Sequence, residues 1–363
     1  MPFNDLGRAV LAQREALDER IREVVESGWF VLGPQGRAFA DELADYLGAA
    51  FVVPVASGTD ALELSLRATM PRDRRSVLTA ANAGGYTTVA ARTAGYAVRY
   101  ADVDPITHCL SRQTVESAWE PDIGAVVITH LYGRAADLED IGSWAHENGA
   151  VVVEDCAQAL GALRANRRVG TIGDVGAMSF YPTKNLGALG DGGAVCTNRA
   201  DVADGVTRLR QYGWAEKYHV EQTGGSNSRL DELQAAVLRA RLPLLDGWNA
   251  RRREIIETYR ASAPAHVRVL DASGPGHVGH LAVVECPRRA DLQAHLSRWR
   301  IRTDVHYPVP DHRQPAYAPE YREVALPVTE RLAAEVLSLP LFPELTDDEV
   351  NRVAGALASF AGD

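Results

Sequence analysis

AVVITHLYGRAADLEDIGSWAHENGAVVVEDCAQAL, Ala125–Leu160, consists of two continuous apolar runs separated by a helical stretch. Runs that do not alternate apolar and polar residues belong to strands buried on both faces. The connection between them is too long for a hairpin and long enough for a crossover to a parallel neighbour. Working outward, FVVPVA, SVLTAA and AVRYADV precede this unit, and AMSFYP and GAVCTN follow it. Seven β-like runs between residue 51 and about 200 predict an α/β domain with a mainly parallel seven-stranded sheet. Ligands of such sheets sit beyond the carboxyl ends of the strands, so the residues that close each run are the ones to examine.

The flanking segments extend this domain and add a second. Residues 5–26 have the spacing of one amphipathic helix, and a second helix is expected at about 35–47. Between them Trp29, Phe30, Val31 and Leu32 form an apolar connection that must be covered by the body of the protein or by a second subunit. Helical patterns follow at about 199–212 and 229–241, and a long one at about 244–262 leads out of the large domain. HLAVVECP, a helix near 288–299, IRTDVHYPVP and a last helix at about 346–360 then predict a smaller α+β unit. The expected division is 1–245 and 246–363.

Composition narrows the function classes. The chain has 363 residues, 46% hydrophobic and 24% charged, and a formal net charge of −10, which is ordinary for a globular protein and argues against nucleic-acid binding. RDRR at 72–75 and RRR at 251–253 are expected to form a solvated loop and a helix face. The four cysteines, Cys109, Cys156, Cys196 and Cys286, have no CxxC spacing, so neither zinc nor a disulfide framework is indicated. The N-terminus does not read as a secretory leader and no apolar run approaches a membrane span, so a cytoplasmic location without membrane association is expected.

Three motifs carry chemistry. In SGTDALELSL, Ser57–Leu66, Ser57 can cap a helix while the free amides of Gly58 and Thr59 face an anion; an ordinary strand-to-helix turn reads the same way. VVVEDCAQALGA delivers Glu154 and Asp155 to a strand end. There Asp155 can hold a protonated pyridine nitrogen, Gln158 can reach a ring oxygen, and the small Ala157 lets a flat ring lie against it; a structural carboxylate is the alternative. SFYPTKNLGALGDGGAV, Ser179–Val195, places a single lysine, Lys184, at the mouth of the sheet, where a shielded amine attacks carbonyls to form a Schiff base. A fourth stretch, GGSNSRLDELQAAVL, Gly224–Leu238, offers Asn227 to an anion, while Arg229 with Asp231 or Glu232 reads as a helix-start ion pair. The order of anion cup, ring-holding carboxylate and reactive lysine fits pyridoxal phosphate: phosphate, pyridinium and aldehyde each receive a complementary group.

With those residues in place the chain resembles, over practically its whole length, the DegT/DnrJ/EryC1/StrS family of sugar aminotransferases, a branch of the fold type I pyridoxal phosphate enzymes. SGWFVLGP, SGTDAL, EDCAQALGA, SFYPTKNLGALGDGGAV, NSRLDELQAAVL and HYPVP carry the resemblance. It implies that Lys184 binds the cofactor covalently, that Asp155 bonds the pyridine nitrogen, and that Gln158 lies near the ring hydroxyl. It also implies that Gly58, Thr59 and Ser179 contact the phosphate and that Asn227 reaches the cofactor of the neighbouring subunit, which makes the protein a homodimer with shared sites. One stretch departs from the pattern. Where the family reads like PANTYIATALA, with an aromatic residue stacked on the ring, this chain has AANAGGYTTVAA, Ala80–Ala91. Gly84 falls at the stacking position, and Tyr86 is the expected replacement.

The implied reaction is a two-stage transamination, from glutamate to a nucleotide-linked keto sugar, with the pyridoxamine form of the cofactor between the stages. LRQYGWAEKYHVEQTGGSNSRLDELQAA most resembles members acting on dTDP-linked 3-keto-6-deoxyhexoses, with amination at C4 or of a cyclitol ketone as alternatives. Trp214, Tyr218, His306, Tyr307 and His312 are the candidate substrate residues; a structural aromatic or a capped histidine is the other reading of each. Lys184 argues against a related dehydratase branch that has histidine there. Lys184 and Asp155 together argue against a non-catalytic, cofactor-binding regulator. SGTDAL lacks the GxGxxG of a dinucleotide enzyme.

Overall fold

The structure is a computed structural model and describes residues 1–362. The N-terminal segment folds as two helices, α1 (Leu6–Ala12) and α2 (Arg14–Ser27), rather than one. Gln13 breaks the run because it leaves helical geometry, at φ −119° and ψ 11°. Helix α3 (Pro34–Leu47) follows. Its first turn is capped from outside: the carboxylate of Glu232 accepts hydrogen bonds from the amides of Gly33, Gln35 and Gly36 at 2.7–2.9 Å. Glu232 is therefore a helix cap, not the partner of Arg229, and it satisfies three amides that α3 cannot pair itself.

The alternating part of the chain reads β1 (Phe51–Val55), α4 (Gly58–Thr69), β2 (Ser76–Ala80), α5 (Tyr86–Thr93), β3 (Ala97–Ala101), α6 (Arg112–Ser117), β4 (Ile123–Thr129), α7 (Leu138–Glu147), β5 (Val151–Asp155), β6 (Val175–Ser179), β7 (Gly193–Thr197) and α8 (Ala200–Leu209). All seven apolar runs enter one sheet, in the order β1-β7-β6-β5-β4-β2-β3. Only β7 runs against its neighbours. Both faces are covered, which is why the central strands are continuous in apolar residues. Leu62, Leu66, Val202 and Val206 pack on one face, and Ile141 and Ala145 on the other. The sheet register sets Thr129 opposite Asp155 and Asp155 opposite Ala177, with Ser179 opposite Gly193 and Gly193 opposite Val55. The motifs singled out in the sequence thus converge on one edge of the sheet.

Helix α9 (Glu232–Arg241) packs beside α3 and α2, and α10 (Leu245–Ser262) leads to the smaller sheet. That sheet pairs residues 268–269 with β8 (Ala282–Glu285) and β8 with β9 (Val336–Leu339), all antiparallel. Helices α11 (Arg289–Arg298), α12 (Pro327–Glu335) and α13 (Asp347–Ala358) complete the chain. Tyr259, Leu292, Leu296, Phe342 and Val353 form the core beneath the small sheet. IRTDVHYPVP contributes no strand there, apart from an isolated bridge between Asp304 and Ser338. Within the arginine triplet of α10 the middle residue, Arg252, is buried, so that part of the helix is not a solvated face. Trp29 and Phe30 remain 55% and 50% exposed. No helix among the described residues is long and apolar enough to cross a membrane.

Candidate active site

The carboxyl edge of the large sheet opens into a cavity of about 600 Å³ that is also lined by His280, Leu281, Asp304 and Leu341 from the C-terminal part of the chain. Each wall is set by local sequence. Strand β1 ends at Val55, and Ser57 turns the chain into α4 with extended backbone, φ −157° and ψ 166°. The Ser57 hydroxyl accepts from the Asp60 amide at 3.1 Å and donates to the Asp60 carboxylate at 2.9 Å, a cap worth about 1 kcal/mol. Gly58 stands directly against Ser179: a Cβ on Gly58 would lie 2.5 Å from that of Ser179. The helix N-terminus and the end of β6 therefore meet without a side chain between them, and Ser57, Gly58, Thr59 and Ser179 line the cavity together. The unpaired amides of the first turn give this corner a positive potential suited to an anion.

Asp155 closes β5 and is buried. It accepts from the Thr129 hydroxyl and from the Ala157 amide, both at 3.1 Å. Burial nevertheless pushes its carboxyl above the usual range, against the opposing pull of that amide and of Lys184. Its two hydrogen-bond donors are neutral, so this buried carboxylate has no cation in direct contact. Glu154, its neighbour, has the opposite fate. Burial opposes its charge, but His130 and the amides of Gly170 and Gly173 outweigh burial and hold it below the usual range. His130 accepts from the Ala136 amide through Nδ1, so its other nitrogen presents the proton to Glu154. His130, Glu154 and Cys156 lie close together, but these hydrogen bonds engage the histidine and the carboxylate in holding the strand end.

Lys184 emerges from the loop after β6, its amide donating to Tyr181 at 2.8 Å. Lys184 is half-buried and lines the cavity. Burial lowers its pKa to about 8, against the opposing pull of Asp155. A large fraction of neutral, nucleophilic amine is thus present near pH 8. Gln158 is fixed at both ends: its oxygen accepts from the Tyr132 amide at 2.7 Å and its amide group donates to the Tyr307 hydroxyl at 3.0 Å.

The structure brings together Ser57, Gly58, Thr59, Tyr86, Asp155, Ala157, Gln158, Ser179, Lys184, His306 and Tyr307. Four expected residues lie elsewhere. Asn227 is exposed and outside the cavity of its own chain. Trp214 and Tyr218 form an aromatic cluster with Tyr212 on a short hairpin, also outside the cavity. His312 is fully buried against Glu330, at 2.9 Å, and does not reach the cavity. Sequence reading missed Phe3, Asn4, Thr129 and His280, all of which line it. Thr129 carries a usable signal, because it closes β4 as Asp155 closes β5; Phe3 and Asn4 come from a terminus whose path no local pattern encodes.

Behind Gly85, at the start of α5, lies a buried carboxyl, Asp311. It accepts from the Thr88 hydroxyl at 2.8 Å, and that hydroxyl also contacts Tyr100. Burial raises its pKa from 3.8 to about 6, outweighing Thr88 and the Gly85 amide. The folded state therefore prefers the protonated form, and the stability this confers is lost as pH rises from about 4 through about 6. Asp311→Asn should raise the melting temperature at pH 8, by an amount corresponding to at most about 3 kcal/mol, and progressively less towards pH 5. Melting curves of both proteins across that range test this; a gain independent of pH would contradict it.

Comparison with known proteins places this geometry. Residues 12–358 match the model of the DegT/DnrJ/EryC1/StrS aminotransferase family. The chain is 40% identical to the erythromycin biosynthesis sensory transduction protein EryC1 of Saccharopolyspora erythraea, over 99% of this chain and 100% of that one. It is 41% identical to a dTDP-3-amino-3,4,6-trideoxy-alpha-D-glucose transaminase of Streptomyces venezuelae, over 99% and 96%. Among solved structures, S. venezuelae DesV in complex with a ketimine intermediate superposes with a TM-score of 0.94 at 39% identity, covering 98% of this chain and 97% of that one. NtdA of Bacillus subtilis with its bound cofactor PMP gives 0.93 at 29% identity, covering 98% and 84%.

Proposed function

The chain belongs to the DegT/DnrJ/EryC1/StrS aminotransferase family, and on that premise we propose that it transfers an amino group from glutamate to the ketone of a nucleotide-linked sugar, using pyridoxal phosphate bound at Lys184. The observation that carries this reading is the convergence, in one cavity, of a low-pKa lysine, a buried carboxylate short of a cation, and a helix N-terminus pressed against Ser179. Each answers one part of the cofactor: aldehyde, pyridinium and phosphate. A protonated ring nitrogen would supply the positive partner that Asp155 lacks, and its attraction would offset part of the desolvation cost that the unpaired acid bears.

When bound, the cofactor supplies an electron sink for the carbanion left by proton removal. The chain's own residues do the rest. Asp155 would keep the ring nitrogen protonated. Gln158 would face the ring's oxygen edge, and Ala157 would allow a flat group to lie close. The Lys184 amine would hold the cofactor and carry the proton at the reacting carbon, which suits an amine with a pKa of about 8. Support for a nucleotide sugar as acceptor comes from the substrate named for the S. venezuelae transaminase. His306 lies at the cavity with Nδ1 held by Ser338 at 2.9 Å, in position to meet that substrate. Exposed Trp29, Phe30, Tyr181 and Tyr218 favour a homodimer, in which Asn227 and the Trp214 hairpin would serve the partner's cavity.

The test is to prepare the pyridoxamine form and offer a panel of dTDP- and UDP-linked 3-keto and 4-keto sugars together with free cyclitol ketones. Return of the pyridoxal absorbance with a dTDP-3-keto-6-deoxyhexose, at a rate at least about tenfold above the 4-keto sugars, is the expected outcome. Turnover with a free cyclitol alone would overturn the nucleotide-sugar assignment.

A further inference from the structure

Gly84 leaves a gap that another aromatic residue fills. A Cβ on Gly84 would lie 2.8 Å and 2.9 Å from two ring atoms of Tyr307, closer than packed atoms allow. Gly84 and Gly85 both have left-handed backbone, φ +82° and +83°, a conformation that side chains disfavour. The two stretches involved, residues 81–88 and 306–312, are joined at further points. The Asp311 amide donates to the Ala81 carbonyl at 2.8 Å, and the Asp311 carboxyl accepts from Thr88. Tyr307 is also held at its tip by Gln158. Tyr86, by contrast, is 50% exposed and meets only the edge of the Tyr307 ring, with centroids 6.4 Å apart and planes at 74°.

On the pyridoxal phosphate reading given above, we infer that Tyr307, rather than Tyr86, covers the cofactor face that Ala157 does not, and that Gly84 is required because its missing side chain admits the Tyr307 ring. Asp155 and Gln158 hold a flat ring at its edges, and Ala157 lines the same cavity. So do Ala83, Tyr86 and Tyr307. Of these, Tyr307 has its ring fitted to the main chain and its hydroxyl fixed to a residue that bounds the cofactor site. A ring already immobilised loses little freedom on making contact. Its hydroxyl also buttresses Gln158, which couples cover and edge.

The experiment uses full-length protein stripped of cofactor and titrated with pyridoxal phosphate, followed by protein fluorescence, with borohydride reduction and mass spectrometry locating the adduct. Tyr307→Leu should weaken binding at least tenfold and alter the visible circular dichroism of the bound cofactor. Tyr307→Phe, which keeps the ring and loses only the hydroxyl bonded to Gln158, should lose clearly less affinity than Tyr307→Leu, and so should Tyr86→Ala. Thermal melting identifies any variant that fails to fold, and the Leu and Phe substitutions are then decisive. Equal affinity of Tyr307→Leu and wild type, or an equal loss in Tyr86→Ala, would overturn the inference. Failure of wild type to take up the cofactor on Lys184 would instead overturn the reading on which it rests.

Discussion

Lys184→Ala should abolish turnover, by at least about 10⁴-fold, because on the proposed function it removes both the covalent anchor and the base that moves the proton. Borohydride treatment of the loaded variant should leave no cofactor on the chain. Lys184→Arg should fare no better, since it restores the charge but not a nucleophile. The wild type carries a second signature. Attachment requires the neutral amine, so its rate should climb through pH about 8, the value that burial sets for Lys184. A lysine in water would delay that rise to about pH 10.5. Rapid-mixing absorbance at a series of pH values measures it. Retained transamination in Lys184→Ala would remove the assignment altogether.

Asp155→Ala separates holding the cofactor from making it reactive. The variant should still form the adduct on Lys184, because the phosphate corner and the lysine are untouched. It should lose about 10²–10³-fold in kcat, the equivalent of about 3–4 kcal/mol for one buried charge-assisted hydrogen bond. An analogue methylated at the ring nitrogen carries the positive charge permanently and needs no carboxylate to keep it. With that analogue the variant should regain part of the loss, whereas the wild type should gain nothing. If Asp155→Ala turned over at the wild-type rate, the carboxylate would be only a strand-end structural group, as its neighbour Glu154 is.

That contrast between adjacent acids shows where sequence reading stops. VVVED places two carboxylates at one strand end, and nothing local distinguishes them. The difference arises from the 170–173 turn, which folds back to give Glu154 three amides, and from His130 one strand away. The strands themselves were legible, because burial on both faces demands continuous apolar runs. The lysine, the carboxylate and the Ser-capped helix were legible because strand ends and helix starts have local signatures. Contacts between segments distant in the chain were not. HYPVPDH reads as one motif, yet His306 and Tyr307 face the cavity while His312 turns inward to Glu330. Glu232 looked like half of a local ion pair because its true partners, the amides of Gly33, Gln35 and Gly36, lie far away in the chain. The break at Gln13 had no signal either, since its side chain is a good helix former and the interruption is a property of the backbone path.

The antiparallel strand β7 also sets the order in which the molecule can be built. Strand β1 is synthesised first, yet its place in the sheet is only beside β7, and Val55, which leads into the Ser57 turn, pairs with Gly193. During translation the first strand must therefore wait, unpaired, until the lysine loop and the strand after it have left the ribosome. Pairings that close so long a loop are slow to form. The anion corner and the lysine loop are thus tied together through β7, and a chain truncated before residue 193 would have no sheet partner for its first strand.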